Sequence, residues 1–141
     1  MTPSPLAALL ASPVFTVFAR VVLTFIFWGA AIGKIVDYPG TLAEFAHFGV
    51  EPATALAPLA IAVLLIGSVL VILNRAAWLG FGMLATFTAL TIPIAHPFWS
   101  AQGEQAVMEF HVFVEHVSLI GGLMVGAILC WRLERERTTR A

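Results

Sequence analysis

Charge is scarce in this sequence: Asp, Glu, Lys and Arg make up 11% of its 141 residues, against about 25% in an ordinary soluble domain. With a net charge of −1, the chain has no basic surplus with which to neutralise phosphates, and nucleic acid is excluded as a partner. Cysteine is nearly absent as well. Cys130 stands alone, so the chain can form neither an internal disulfide nor a C-x-x-C relay, and quinone-linked generators of disulfides are excluded. No Lys or Arg precedes Arg20. A cleaved signal peptide needs a basic start, so the first apolar segment is expected to stay as a membrane span.

Apolar side chains are abundant instead, at 60% of the residues, with a mean hydropathy of +0.97. A water-soluble domain of this length could bury a core but not the surplus, which must therefore face lipid. Because a bilayer core of about 30 Å takes roughly 20 helical residues, uncharged runs define four spans, near 14–33, 53–73, 76–95 and 107–131. The expected fold is all-α: a single membrane domain over 1–141, built as a four-helix bundle with an Arg-rich tail at 132–141. Ser12 is placed to cap the first span, with Pro13 as its first helical residue.

Between the first two spans, Leu42, Phe45 and Phe48 recur at helical spacing, which predicts a short amphipathic helix in the membrane interface, with Glu44 and His47 wet. Asn74 and Arg75 should form a tight turn. Residues 97–106 read as a polar loop, anchored at headgroup level by Phe98 and Trp99. Pro93 is expected to kink the third span and open space near His96. Six arginines (Arg20, Arg75, Arg132, Arg135, Arg137 and Arg140) fall on one side of this topology and Lys34 on the other. The positive-inside rule then puts both termini in the cytoplasm.

Ionisable groups at membrane depth are functional candidates by default. Glu109, His111, Glu115 and His116 crowd the start of the fourth span, and His111, Glu115, Ser118 and Gly122 follow steps of four, three and four. That row is expected to face the bundle, with Lys34 as the cation for Glu115 or Glu109 and His96 at the height of His111. Together, Lys34, His96, Glu109, His111, Glu115 and His116 form the candidate polar pocket for a quinone or a proton. The same groups could instead lock the helices together as an interhelical network. Their spacing lacks the H-x-x-x-H of a preorganised helical metal site, so no metal is assigned. A haem cytochrome is disfavoured because the first two spans contain no histidine. Arg20 lies in the cytoplasmic leaflet, where it would snorkel to lipid phosphate or meet a partner protein. Gly29 and Gly33, with Ser118, Gly122 and Gly126, give small residues at four-residue intervals suited to close packing within the chain or between copies of it.

Taken in order, these segments resemble the DoxX family of small bacterial membrane proteins. The resemblance rests on Arg20, on G-A-A-I-G-K ending at Lys34, and on T-L-A-E-F-A-H-F-G-V-E-P from Thr41 to Pro52. It continues through H-P-F-W at His96 to Trp99 and E-F-H-V-F-V-E-H-V-S-L-I-G-G-L, where Gly121 and Gly122 look like the closing glycine pair of the family. It covers about residues 15 to 130. Two departures stand at membrane depth: Ala62, Val63, Leu64 and Leu65 hold no acid where many relatives carry a glutamate a few residues before the glycine matching Gly67, and Glu115-His116 replaces a frequent Lys-Asn. The resemblance implies a four-span bundle, embedded in lipid, that serves as a membrane subunit or anchor of a quinone-linked or oxidative-stress redox complex. It implies no catalytic residue. The alternative is a non-catalytic adaptor or small-solute carrier whose polar cluster only fixes packing.

Overall fold

The computed structural model describes residues 2–140, and among them there is no strand. The elements are α1 (Ser4–Leu10), α2 (Pro13–Leu23), α3 (Phe25–Val36), α4 (Tyr38–His47), α5 (Ala53–Leu73), α6 (Ala77–Ala95), a 3-10 turn (Phe98–Ser100) and α7 (Gly103–Arg140). Three helical stretches, α5, α6 with the 3-10 turn, and α7, are each long and apolar enough to cross a bilayer. The count rises to four if the bent pair of α1 and α2 is one span, and α3 is a shorter apolar helix. Helix α1, unforeseen in the sequence, is exposed along its length and turns away from α2 by 65°.

The first span starts as expected: the Ser12 hydroxyl accepts from the Phe15 N–H at 3.4 Å, and Pro13 occupies the first turn, where its missing N–H costs nothing. It is not the unbroken helix over 14–33 that hydropathy predicts. It breaks at Thr24 and runs on to Val36. The backbone ladder still passes through the break, since Thr24 N–H donates to Arg20 O at 3.0 Å and Trp28 N–H to Thr24 O at 3.2 Å. The Val21 carbonyl receives the Trp28 indole N–H at 3.3 Å, and the Thr24 hydroxyl donates to Arg20 O at 2.8 Å. A β-branched hydroxyl and an indole thus supply what hydrocarbon cannot.

Asp37 caps α4 by accepting from the Gly40 N–H at 3.0 Å, and Gly49, at φ +68°, ends it in the left-handed region open to glycine. The predicted helix between the first two spans is therefore present, and it rests on α5 and α3. Helix α5 is the centre of the bundle, touching α2, α3, α4 and α6. Its closest neighbour is α6, reached through the Asn74-Arg75 turn, where Asn74 and Ala76 take φ of 54° and 48°. Glycines set that approach: a Cβ on Gly80 would stand 2.7 Å from the Gly67 carbonyl oxygen, and one on Gly67 would stand 2.8 Å from Leu84 Cδ2. Around this contact Phe27, Leu64, Phe81, Leu84 and Leu123 form the core. Its buried hydroxyls, Ser68 and Thr88, each donate one turn back to a backbone carbonyl, at 2.7 and 2.8 Å.

The last span departs most from expectation. Residues 97–106 are not a polar loop; the 3-10 turn closes at Ser100 and α7 already begins at Gly103. Phe98 does not reach outward with Trp99 but packs on α7, with ring centroids 5.0 Å from Phe113 and 5.4 Å from Phe110. At the other end the helix continues through the Arg-rich tail to Arg140 instead of stopping near Trp131. Its 38 residues make a rod of about 57 Å at 1.5 Å per residue, longer than any bilayer core.

Candidate functional site

The end of the bundle that carries α4 holds a cavity of about 750 Å³ among α3, α4, α5, α6 and α7. Its wall is mostly apolar, with Phe27, Phe45, Leu64 and Phe87 among the lining residues. Polar groups are few and come in pairs. Lys34 of α3 is ion-paired with Glu44 of α4, and its ammonium stands 5.6 Å from the Phe45 ring centroid. Across the cavity, His96 Nδ1 lies 2.8 Å from Glu109 Oε2, and the His96 and His116 ring centroids are 5.1 Å apart. Both imidazoles line the cavity.

Each placement has a local cause. His96 follows the last turn of α6, which runs through Pro93 to Ala95, and its N–H donates to Ile92 O at 3.1 Å. Glu109 and His116, seven residues apart, lie on the face of α7 turned toward α6. His116 Nδ1 is 2.8 Å from the Val112 carbonyl oxygen. A carbonyl only accepts, so Nδ1 carries the proton and Nε2 keeps a lone pair while the ring is neutral. His96 is oriented in the same sense, with its Nδ1 facing the Glu109 carboxylate.

Of the six candidate residues, Lys34, His96, Glu109 and His116 gather at this end of the bundle, while His111 and Glu115 do not join them. The row His111, Glu115, Ser118 and Gly122 is exposed, not turned into the bundle. Lys34 is held by Glu44, so neither Glu115 nor Glu109 has it as a partner, and His96 meets Glu109 and His116 instead of His111. The reason is angular. The inward face of α7 is set by Leu123, Cys130 and their neighbours, and residues 109 and 116 share it at 100° per residue, whereas 111 and 115 do not.

In the sequence Glu44 reads as the wet face of an interfacial helix, and its spacing of ten from Lys34 carries no helical signal across a chain reversal. Among the glycines expected to pack, only Gly126 is tight, with a Cβ there falling 2.6 Å from Phe81 Cζ. Gly29, Gly33 and Gly121 meet nothing within 4 Å, and Gly122 only Leu23 at 3.8 Å. Arg20 reaches Cys130 at 3.7 Å, at the opposite end from the cavity. Among the described residues no three His, Cys, Asp or Glu side chains come together as a metal site.

An apolar bundle of this topology, with its polar pairs confined to one end, is that of a small multi-span membrane protein. The DoxX family model matches residues 15–97, more than half of the chain, and the protein belongs to that family. The match is shorter than the motifs from 15 to 130 suggest: it takes in Lys34, Glu44 and His96 and stops before α7. No curated protein and no solved structure matches the chain.

Proposed function

We propose that this DoxX protein is the membrane subunit of a quinone-linked redox complex, and that its cavity takes the quinone headgroup. The observation that carries the reading is the fixed His116 ring beside the His96–Glu109 pair, at the edge of an apolar cavity. The volume falls within the roughly 300–1,000 Å³ of small-molecule sites, and an apolar wall with a few convergent polar groups suits an aromatic headgroup on a lipid tail. Quinones supply two-electron, two-proton carriage in the membrane. His116 Nε2 accepts a hydrogen bond from a quinol hydroxyl when neutral and donates to a quinone carbonyl when protonated. His96 and Glu109 pass the proton toward the α4 end.

Titrating ubiquinone or menaquinone into the purified bundle tests this. His116→Ala and His96→Ala should each weaken binding about tenfold, the worth of one good hydrogen bond, while His111→Ala and Glu115→Ala leave it unchanged. Affinity indifferent to both cavity histidines sinks the reading. The positive-inside count supports a bacterial inner-membrane location with both termini and Arg75 cytoplasmic, and the α4 end facing outward. Reporter fusions at the two ends check it.

A non-catalytic adaptor or solute carrier is favoured by one observation: both polar pairs are satisfied within the chain and tie α3 to α4 and the end of α6 to α7. In that reading Glu109→Gln lowers the melting temperature in detergent and leaves cellular redox phenotypes intact.

A further inference from the structure

Helix α7 is the longest and most polar of the spans and the least covered. Only 6% of its most apolar stretch is buried, against 33% for α5 and 28% for α6. Its principal contacts are α6 and the 3-10 turn. Along one exposed side run Met108, His111, Glu115, Ser118, Gly122, Val125 and Leu129, alternating steps of three and four, the spacing of a helix–helix seam. Glu115 lies seventeen residues from Arg132, about 25 Å along the axis, so with Arg132 at one boundary of a 30 Å core the carboxylate is within hydrocarbon. Among the described residues neither His111 nor Glu115 has a hydrogen-bond or ionic partner. A free carboxylate facing acyl chains is costly, and it stays there only if something covers it.

We infer that this face is the contact between two copies of the chain, packed with their α7 helices parallel across a two-fold axis along the membrane normal. The charge pattern selects this occupant. His111 and Glu115, one turn apart, are complementary, so a two-fold operator brings each imidazole beside the carboxylate of the other copy and makes the bond twice. One turn deeper, Ser118 and Gly122 have no bulk to hold the backbones apart; Gly122 would meet only Leu23 even with a Cβ. Val125 and Leu129, 56% and 54% exposed, complete the seam with apolar side chains. The cavity lies on the other side of α7, so the contact is independent of what the cavity binds.

Cysteine mapping of the full chain in native membranes tests the contact, since the only native cysteine, Cys130, is removed by Cys130→Ala. Ser118→Cys and Val125→Cys should cross-link to dimers several-fold more efficiently than Val117→Cys and Met124→Cys, which are also exposed but lie about 80–120° around the helix from them. In the Val125→Cys chain, His111→Leu or Glu115→Leu should lower dimerisation by about eightfold, because each removes both symmetry-related bonds, and one interhelical hydrogen bond in a membrane is worth about threefold. The exchange His111→Glu with Glu115→His should restore it. Equal yields at all four positions, no dimer at any of them, or an exchange that fails to rescue would overturn the inference.

Discussion

His96 and Glu109 join the last turn of α6 to the first turns of α7 through a 2.8 Å contact, thirteen residues apart in sequence and both largely shielded. Between them lies the 3-10 turn, whose Phe98 ring docks on Phe110 and Phe113. The pair and the aromatic dock therefore close the same joint from two sides. Glu109→Ala should destabilise the bundle by about 1–3 kcal/mol, because the imidazole is left with an unmet polar atom. His96→Ala with Glu109→Ala should cost less than the two single losses added. Thermal unfolding in detergent of the four chains of this cycle measures it, and additive losses would show that the contact carries no coupling.

The glycines make a sharper contrast. Gly80→Ala drives a methyl to 2.7 Å from the Gly67 carbonyl oxygen, and the neighbours are backbone and the stiff Val71. A loss of about 1–3 kcal/mol follows from such overpacking. Gly29→Ala and Gly33→Ala add a methyl where nothing lies within 4 Å, and should be neutral or stabilising by up to about 1 kcal/mol, through helix propensity alone. The same melting experiment ranks all three.

That contrast shows where sequence legibility ends. The all-α bundle of apolar helices, the cap at Ser12, the turn at Asn74 and the helix after Lys34 are legible because length, hydropathy and local capping determine them. Which face of a span turns inward is not, since a membrane helix is apolar on every side and lacks the amphipathic contrast that orients helices in water. For that reason Gly29 and Gly33 read as a packing motif while Gly67 and Gly80 do the packing. His111 and Glu115 read as pocket residues for the same reason. The Lys34–Glu44 pair was hidden by a chain reversal whose geometry Asp37 and Gly40 set only in three dimensions.

Thr24 tests how the first span survives its break. Its hydroxyl donates to Arg20 O at 2.8 Å and lies 3.3 Å from Val21 O, with the residue wholly buried. Thr24→Val keeps the shape and removes the donor, and should cost about 1–2 kcal/mol in an environment without water to replace it. Thr24→Ser keeps the donor and should cost less than half of that. A larger loss for Thr24→Ser than for Thr24→Val would assign the role of Thr24 to its methyl group.

The protonation of His116 can be read directly. An isolated neutral imidazole favours the tautomer with its proton on Nε2, whereas the 2.8 Å approach of Nδ1 to Val112 O requires the opposite one. Nitrogen-15 NMR of the histidine-labelled protein, assigned by loss of the signal in His116→Gln, should show a protonated Nδ1 and an unprotonated Nε2 at a pH where the ring is neutral. Adding a quinol should move the Nε2 resonance and leave Nδ1 in place, because only Nε2 is free to accept the hydroxyl. A ring carrying its proton on Nε2 would leave a donor pointing into the cavity. The site would then suit the carbonyl of an oxidised headgroup without any protonation of the histidine.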